Sequence, residues 1–381
     1  MRMRLISALA VAVLTGCGSA GGASKGADAE RPSEARTASA RPFDMTVEGC
    51  FDRPFAMAFL PDGRLLVTEK PGVLKLWAPG GETIDVAGVP KVAFVNQGGL
   101  LDVALSPRFA QDHDIYLTYS EPRPKGSSLA LARAQLVEAD GAARLDGLRV
   151  IWRQGSDGSG GQFGGVIAFS PDGKYLFLTS GERQRKTPAQ DPNQTLGKIL
   201  RLYPDGTTPP FNPISGSGAR SQIWSSGHRN PYGLAFAADG RLWETEMGPK
   251  GGDELNMILP GRNYGWPVVS NGDNYDGSPI PDHHPGDGFA APKLSWNPSI
   301  SPGGFIIYSG SLFPRWRGSG LIAALSGEAL IRVTLDGDTA AKADRWDMGA
   351  RIRDVAQGPQ GTVWLLEDGK GARLLKLTPA R

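Results

Sequence analysis

The residues best suited to chemistry lie between Gly227 and Tyr275. The chain reads Gly-His-Arg-Asn-Pro-Tyr-Gly-Leu from Gly227, Glu-Met-Gly-Pro-Lys-Gly-Gly-Asp-Glu from Glu246 and Asn-Tyr-Gly-Trp-Pro from Asn263. This stretch holds an Arg-Asn pair, a Gly-Pro turn with free backbone carbonyls, adjacent carboxylates and an aromatic-rich loop. Arginine grips carboxylates through a rigid fork of donors. Carbonyl oxygens beside a carboxylate suit a hard cation such as Ca²⁺. The combination points to a site for an anionic, planar organic cofactor held next to calcium. Taken singly, each piece has a plainer meaning. His-Arg-Asn-Pro could be a capped turn, Asp253-Glu254 a solvated pair, and Arg351 with Arg353 a solvated strand edge. His283-His284 lacks a third metal ligand, and neither these residues nor His113 is assigned a role.

The elements that must position these residues read as repeated hairpins. Phe55–Gly63 leads into Arg64–Glu69, Gly165–Gly173 into Lys174–Thr179, Gly233–Gly240 into Arg241–Thr245, and Arg353–Gly361 into Thr362–Leu366. Leu101–Pro107 followed by Asp114–Thr118 is a variant with a longer loop, and Gly304–Tyr308 with Leu321–Ala324 is a degenerate sixth. Asp-Gly supplies the positive φ angles of tight turns, and alternating β-branched and aromatic residues fit half-buried strands. Six units of roughly 55 residues predict an all-β fold, a six-bladed β-propeller of four-stranded antiparallel blades. A pair of β-sandwiches would explain the turns but not six similar hairpins. The longest insertions, near Asn96, Ser180–Gln194, Glu246–Pro292 and Arg351, should build the site.

Composition agrees. With 52 Gly and 30 Pro and no collagen-like period, the chain must turn often. A formal net charge of +2, with no basic cluster, excludes a nucleic-acid partner. Arg2 and Arg4 precede the apolar run Leu5–Leu14, which is an export signal by length and flanks. It ends in Leu14-Thr15-Gly16-Cys17, similar to a bacterial lipobox, with Gly18 rather than Asp next. The expectation is a lipoprotein anchored through Cys17 on the periplasmic face of the outer membrane; the alternative is a soluble periplasmic protein. Residues 1–17 are then the signal peptide, 18–42 a flexible linker poor in large apolar residues, and 43–381 the folded domain. Cys50, the one other cysteine, is expected as a buried small apolar side chain outside any disulfide framework.

Seven motifs then occur in one order: Gln97–Asp102, Gly161–Gly165, Ala189–Asp191, Gly197–Arg201, Gly227–Pro231, Gly248–Glu254 and Asn263–Pro267. Together they resemble the soluble aldose sugar dehydrogenases of the glucose/sorbosone dehydrogenase family, which depend on pyrroloquinoline quinone (PQQ), a planar tricarboxylate with an ortho-quinone. That family is a six-bladed propeller. The resemblance implies that Arg229 and Asn230 contact the cofactor, that Gln97 hydrogen-bonds it, and that Arg351 and Arg353 neutralise its carboxylates. Tyr275 would pack on it and Asp253 would lie near it. The carbonyls of Gly248 and Pro249 would ligate the cofactor's Ca²⁺. Glu254 and the Tyr264 carbonyl would form a second, structural calcium site. The implied reaction is oxidation of an aldose at C1 to the lactone, and no Cys-x-x-Cys-His haem motif is present, so the electron acceptor, a quinone or cytochrome, would be external.

The pattern breaks at three positions. The family's catalytic histidine is replaced by Gln162, which can hydrogen-bond a sugar but offers no basic lone pair near neutral pH. The arginine expected four residues later is Val166, and a lysine expected near Leu325–Glu328 falls at Ser326. Three readings stay open: a dehydrogenase that is slow or whose base lies elsewhere, Asp253 or a water; a PQQ- or sugar-binding propeller without turnover; and a calcium-dependent lactonase-type hydrolase.

Overall fold

The computed structural model describes residues 40–380. The expected signal peptide, Cys17 and nearly all of the linker lie outside the described residues. Among the described residues no helix is long and apolar enough to cross a membrane; the one α-helical turn is Phe109–Asp112. The fold is all-β, as expected.

Each of the six hairpins forms. In each, a leading strand pairs antiparallel with the strand after it: Pro54–Phe59 with Leu65–Glu69, Leu100–Leu105 with Asp114–Arg123, Gly164–Phe169 with Leu176–Ser180, Pro231–Phe236 with Leu242–Glu246, Pro302–Ile307 with Gly320–Ala324, and Ile352–Gln357 with Val363–Glu367. The turn chemistry differs in one detail from the expectation. In the Asp-Gly turns only the glycine, Gly63, Gly173 or Gly240, takes positive φ, not the Asp before it. The preceding Asp instead accepts a hydrogen bond from the N–H two residues on, as Asp62 does from Arg64, Asp172 from Lys174 and Asp239 from Arg241. This local side-chain bond replaces one that the backbone would otherwise make.

Four sheets have four strands, and a small ribbon joins Lys250–Gly251 to Gly272–Asp273. The remaining sheet has eight. It consists of two antiparallel halves joined by a parallel contact in which Val86 and Ala87 of Thr83–Ala87 face Ala143 and Arg144 of Ala142–Arg153. In one four-stranded sheet the N-terminal strand Phe43–Phe51 pairs with Ala372–Pro379, so the two ends of the domain close a single sheet. Phe43–Phe51 is the outermost strand there. Cys50 is accordingly exposed rather than buried, and its thiol is not free.

The leading strands touch one another in a closed cycle, Pro54–Phe59 to Leu100–Leu105, Gly164–Phe169, Pro231–Phe236, Pro302–Ile307, Ile352–Gln357 and back. Every one of them carries a register shift near its start. Such bulges bend a strand and re-aim its side chains. In three hairpins a buried threonine on the second strand takes up the freed backbone groups. Thr68 Oγ1 accepts from Ala56 N and donates to Leu101 O of the next leading strand. Thr118 does the same with Asp102 N and Gly165 O, and Thr179 with Val166 N and Pro231 O. These hydroxyls stitch adjacent hairpins together at the end where the residues of interest emerge. Apolar packing completes the core, and one contact spans the cycle: Phe55 meets Tyr232, three leading strands away, edge-on at 5.5 Å.

Candidate functional site

Gln97, Gln162, Arg229, Asn230 and Arg351 all sit just before a leading strand, or on its first turn of chain, next to the bulge. Gln162 is buried with φ +53°, a left-handed conformation uncommon for glutamine. Its N–H donates to Gln97 Oε1 at 2.6 Å, and its own Oε1 accepts from Gln184 N at 3.2 Å. The loop is held from below by Arg183, whose guanidinium lies 3.8 Å from the Phe163 ring centroid. That group donates to the carbonyls of Gly161, Gly160 and Ser127. Burial brings the Arg183 pKa down to about 10.

Arg229 stands opposite. Nη1 donates to the carbonyls of Met247 (3.0 Å) and Gly248 (2.6 Å), and Nη2 reaches Tyr275 Oη at 3.3 Å. The guanidinium is flanked by the Trp266 and Tyr275 rings, at 5.2 and 5.8 Å. Arg229 Nε is buried and has no partner. Tyr275 is 74% exposed, so one wall of the site is an open aromatic face. Gln162, Glu182, Arg229, Pro249, Trp266 and Tyr275 line one cavity of about 350 Å³, within the range of small-ligand sites.

Behind it lies a closed anionic cluster. Glu246 accepts from Arg229 N (2.5 Å) and Asn230 N (3.3 Å) and pairs with His228 Nδ1 at 3.0 Å, while His228 Nε2 meets Ser225 Oγ at 2.8 Å. Glu244 and Glu254 share Asn256 Nδ2, at 3.0 and 3.1 Å. Burial first, then the nearby Glu246 charge, push the Glu244 and Glu254 carboxyls well above the usual range. Glu244 Oε1 and Asn256 Oδ1 are buried acceptors without a donor. Potential ligand atoms of His228, Glu244 and Glu246 lie within 4.8 Å of one another. A cluster of carboxylates in which one carboxylate oxygen and one amide carbonyl lack donors is what a hard cation satisfies. Tyr264 belongs to the same region: its ring stacks on His228 at 4.9 Å and its hydroxyl donates to Met257 O.

Other expected residues are placed apart from this cavity. Asp253 does not line it; its oxygens accept from Gly248 N, Ile300 N and Ser301 N at 2.7–2.8 Å, so it fastens the Gly248 turn to the next sheet. Arg351 and Arg353 do not face the cavity together either. Both are drawn to Asp368, with Lys70 3.8 Å away, and burial that would raise the Asp368 pKa is outweighed by Arg353 and Lys70. Arg353 connects to the site only through contacts, resting 5.4 Å from the Phe55 ring, which meets Tyr232, whose hydroxyl reaches Gln97 Oε1 at 3.4 Å. Asn230 turns inward, accepting from Gly164 N at 3.2 Å. The segment Glu182–Lys186 was not singled out as functional from sequence beyond its place in a long insertion. Arg183, Gln184 and Lys186 all have positive φ. Clustered backbone strain of this kind, beside a cavity, is the signal that sequence does not carry.

The sequence profile of the glucose/sorbosone dehydrogenase family matches residues 51–376, and the chain belongs to that family. Among its relatives, aldose sugar dehydrogenase YliI of Escherichia coli K12 is 40% identical over 340 residues, covering 86% of this chain and 90% of the relative. The crystal structure of the soluble E. coli aldose sugar dehydrogenase in its apo-form superposes with TM-score 0.84 at 38% identity, over 89% of this chain and 100% of that one. The PQQ-bound aldose sugar dehydrogenase of Streptomyces coelicolor gives 0.73 at 31%, over 88% and 98%.

Proposed function

We propose that this protein is a quinoprotein that oxidises an aldose at C1 to the lactone, using PQQ and Ca²⁺ and passing electrons to an external quinone or cytochrome. The observation that carries the reading is Arg229: a cation with an unpartnered buried Nε, between two aromatic rings, on a cavity of ligand size. A planar polyanion suits that setting, stacking on the rings while the guanidinium meets a carboxylate. The aromatic and cationic wall formed by Arg229, Trp266 and Tyr275 would hold the cofactor, and the Gly248–Pro249 turn beside it would offer carbonyls to its calcium. Bound there, PQQ supplies a two-electron oxidant. The chain's own part is to orient the sugar, with Gln162 as a hydrogen-bonding partner, and to remove a proton. The orphaned acceptors Glu244 Oε1 and Asn256 Oδ1, next to Glu254, support a second, structural calcium.

The architecture consistent with this reading is a six-bladed propeller. The eight-stranded sheet divides at its parallel junction into two four-stranded units, and the closed cycle of leading strands has six members. Export and anchoring through Cys17 at the outer membrane remain part of the proposal, on the strength of the N-terminal sequence.

A binding protein without turnover is the competing reading, favoured by Gln162. The hydrolase has less support, because the channel carboxylates Asp102 and Asp354 are tied to backbone N–H groups of Val103, Ile167, Met57 and Val355. Titration of the domain with PQQ and Ca²⁺, followed by absorbance after excess aldose, decides. Saturable binding and reduction of the quinone are expected; binding without reduction would leave a cofactor-binding protein, and no binding would remove the quinoprotein reading.

A further inference from the structure

We propose that Glu182 is the general base of this site, doing the proton abstraction that Gln162 cannot; the inference rests on the quinoprotein reading above. Glu182 lines the same cavity as Gln162, Arg229 and Trp266. It is a carboxylate held in place rather than a flexible surface acid. Oε2 accepts the N–H groups of both Arg185 and Lys186, and Glu182 N donates to Arg229 O at 3.0 Å. The Gln184 N–H also acts on the carboxylate, which is nearly wholly buried in the cavity wall. The positive φ angles of Arg183, Gln184 and Lys186 wrap the backbone around the carboxylate, and the Arg183 clamp ties this loop to the Gly160–Gln162 loop. Glu182 and Gln162 are therefore fixed with respect to each other, through Gln184 N on Gln162 Oε1 and Arg183 N on Gln162 O. A base must be positioned before its pKa matters.

The competing groups are otherwise engaged. Asp253 is saturated by three backbone donors and lies off the cavity. Asp276 is bound to Ser278 N and Oγ, which hold its carboxyl below the usual range. Lys186 Nζ donates to Asn274 Oδ1 at 2.8 Å. Burial, by contrast, raises the Glu182 pKa above that of a free glutamate, against the lowering effect of the Lys186 and Arg185 N–H bonds and of the Arg229 charge. The charged and titratable groups facing it are Arg229, Arg185, Lys186, Asp276 and Tyr275.

In the step itself, the O–H bond of the C1 hydroxyl breaks and its proton goes to the Glu182 carboxylate. The C1–H bond breaks with its electron pair, and hydride leaves for the ortho-quinone oxidant. The C1–O bond becomes the lactone carbonyl, and the proton held by Glu182 passes on to the hydride-reduced quinone, so that one hydride and one proton leave the sugar and the quinol results.

The test uses the full chain loaded with PQQ and Ca²⁺, with glucose as the probe aldose. Glu182→Gln should bind PQQ like the parent but reduce the quinone about 10² to 10⁴ times more slowly in a single turnover. It should also lose the rise of rate with pH, which in the parent falls above the ordinary glutamate range. Glu182→Asp should keep a slower reaction whose pH rise moves down. In the cofactor-free protein, an infrared carboxyl band titrating above the ordinary range should vanish in Glu182→Gln. Parent-like rates or an unchanged pH profile in Glu182→Gln would overturn the proposal. So would a parent protein that binds PQQ yet never reduces it, with the quinoprotein reading intact. A parent that fails to bind PQQ would remove both.

Discussion

The channel bordered by the six leading strands, about 430 Å³, and the cavity beside Gln162, about 350 Å³, differ in how their polar groups are satisfied. In the channel, Asp102 accepts from Val103 N and Ile167 N, and Asp354 from Met57 N and Val355 N. Each carboxyl joins one leading strand to the next and has no need of a ligand. In the cavity, Arg229 Nε has no acceptor, Tyr275 is open to solvent, and four residues with positive φ, Gln162, Arg183, Gln184 and Lys186, crowd one rim. Volume therefore does not distinguish the two regions. Unfinished hydrogen bonding and stored strain do, because both cost free energy that a structural role alone would not keep.

The sharpest way to test the contrast is on the cavity side. In a Glu182→Gln background, Gln162→His should raise the rate of quinone reduction by about 10² to 10⁴, measured in a single turnover. Histidine tolerates the left-handed backbone at this position, so little strain is added. Arg229→Ala should weaken PQQ binding by about 10²-fold, the worth of one or two charge-assisted hydrogen bonds, with little change in the denaturation midpoint. The channel should respond the opposite way. Asp102→Ala orphans two buried N–H groups and should cost about 2–4 kcal/mol in denaturant unfolding while PQQ affinity per folded molecule holds.

The gentlest probe is pH. Burial, then the Asp354 charge, push the Asp102 carboxyl up to about 8, and burial pushes Asp354 up to about 7. An unfolded aspartate titrates near 3.9. Between these values the folded state holds more protons than the unfolded one, so this contribution is full below about pH 4 and is lost as pH rises through about 7 to 8. A thermal-melt series should show a declining limb there that Asp102→Asn flattens. A flat series in the parent would mean that the channel is wetter than its burial implies.

The hairpins were legible because strand alternation and Pro-Asp-Gly turns are local. The motif at Gly227–Pro231, a capped turn if taken singly, gained meaning only from its place among seven motifs in one order. The pairing of Arg351 and Arg353 with Asp368 was not, since their common partner lies on the far side of a hairpin. Asp253, which the family resemblance puts near the cofactor, and its neighbour Glu254 are sent by strand alternation to different environments, one to backbone donors and one to the acid cluster.

The amino-acid sequence alone determined the all-β character and the six hairpins, both of which depend on residue type and short-range spacing. Tertiary structure alone decided that Phe43–Phe51 closes a sheet with Ala372–Pro379, that Glu246 braces Arg229 from behind, and that Glu182 stands beside Gln162. Those relations join residues through bulged strand ends and strained loops, and neither backbone strain nor the satisfaction of a buried polar group is encoded in any one stretch of chain.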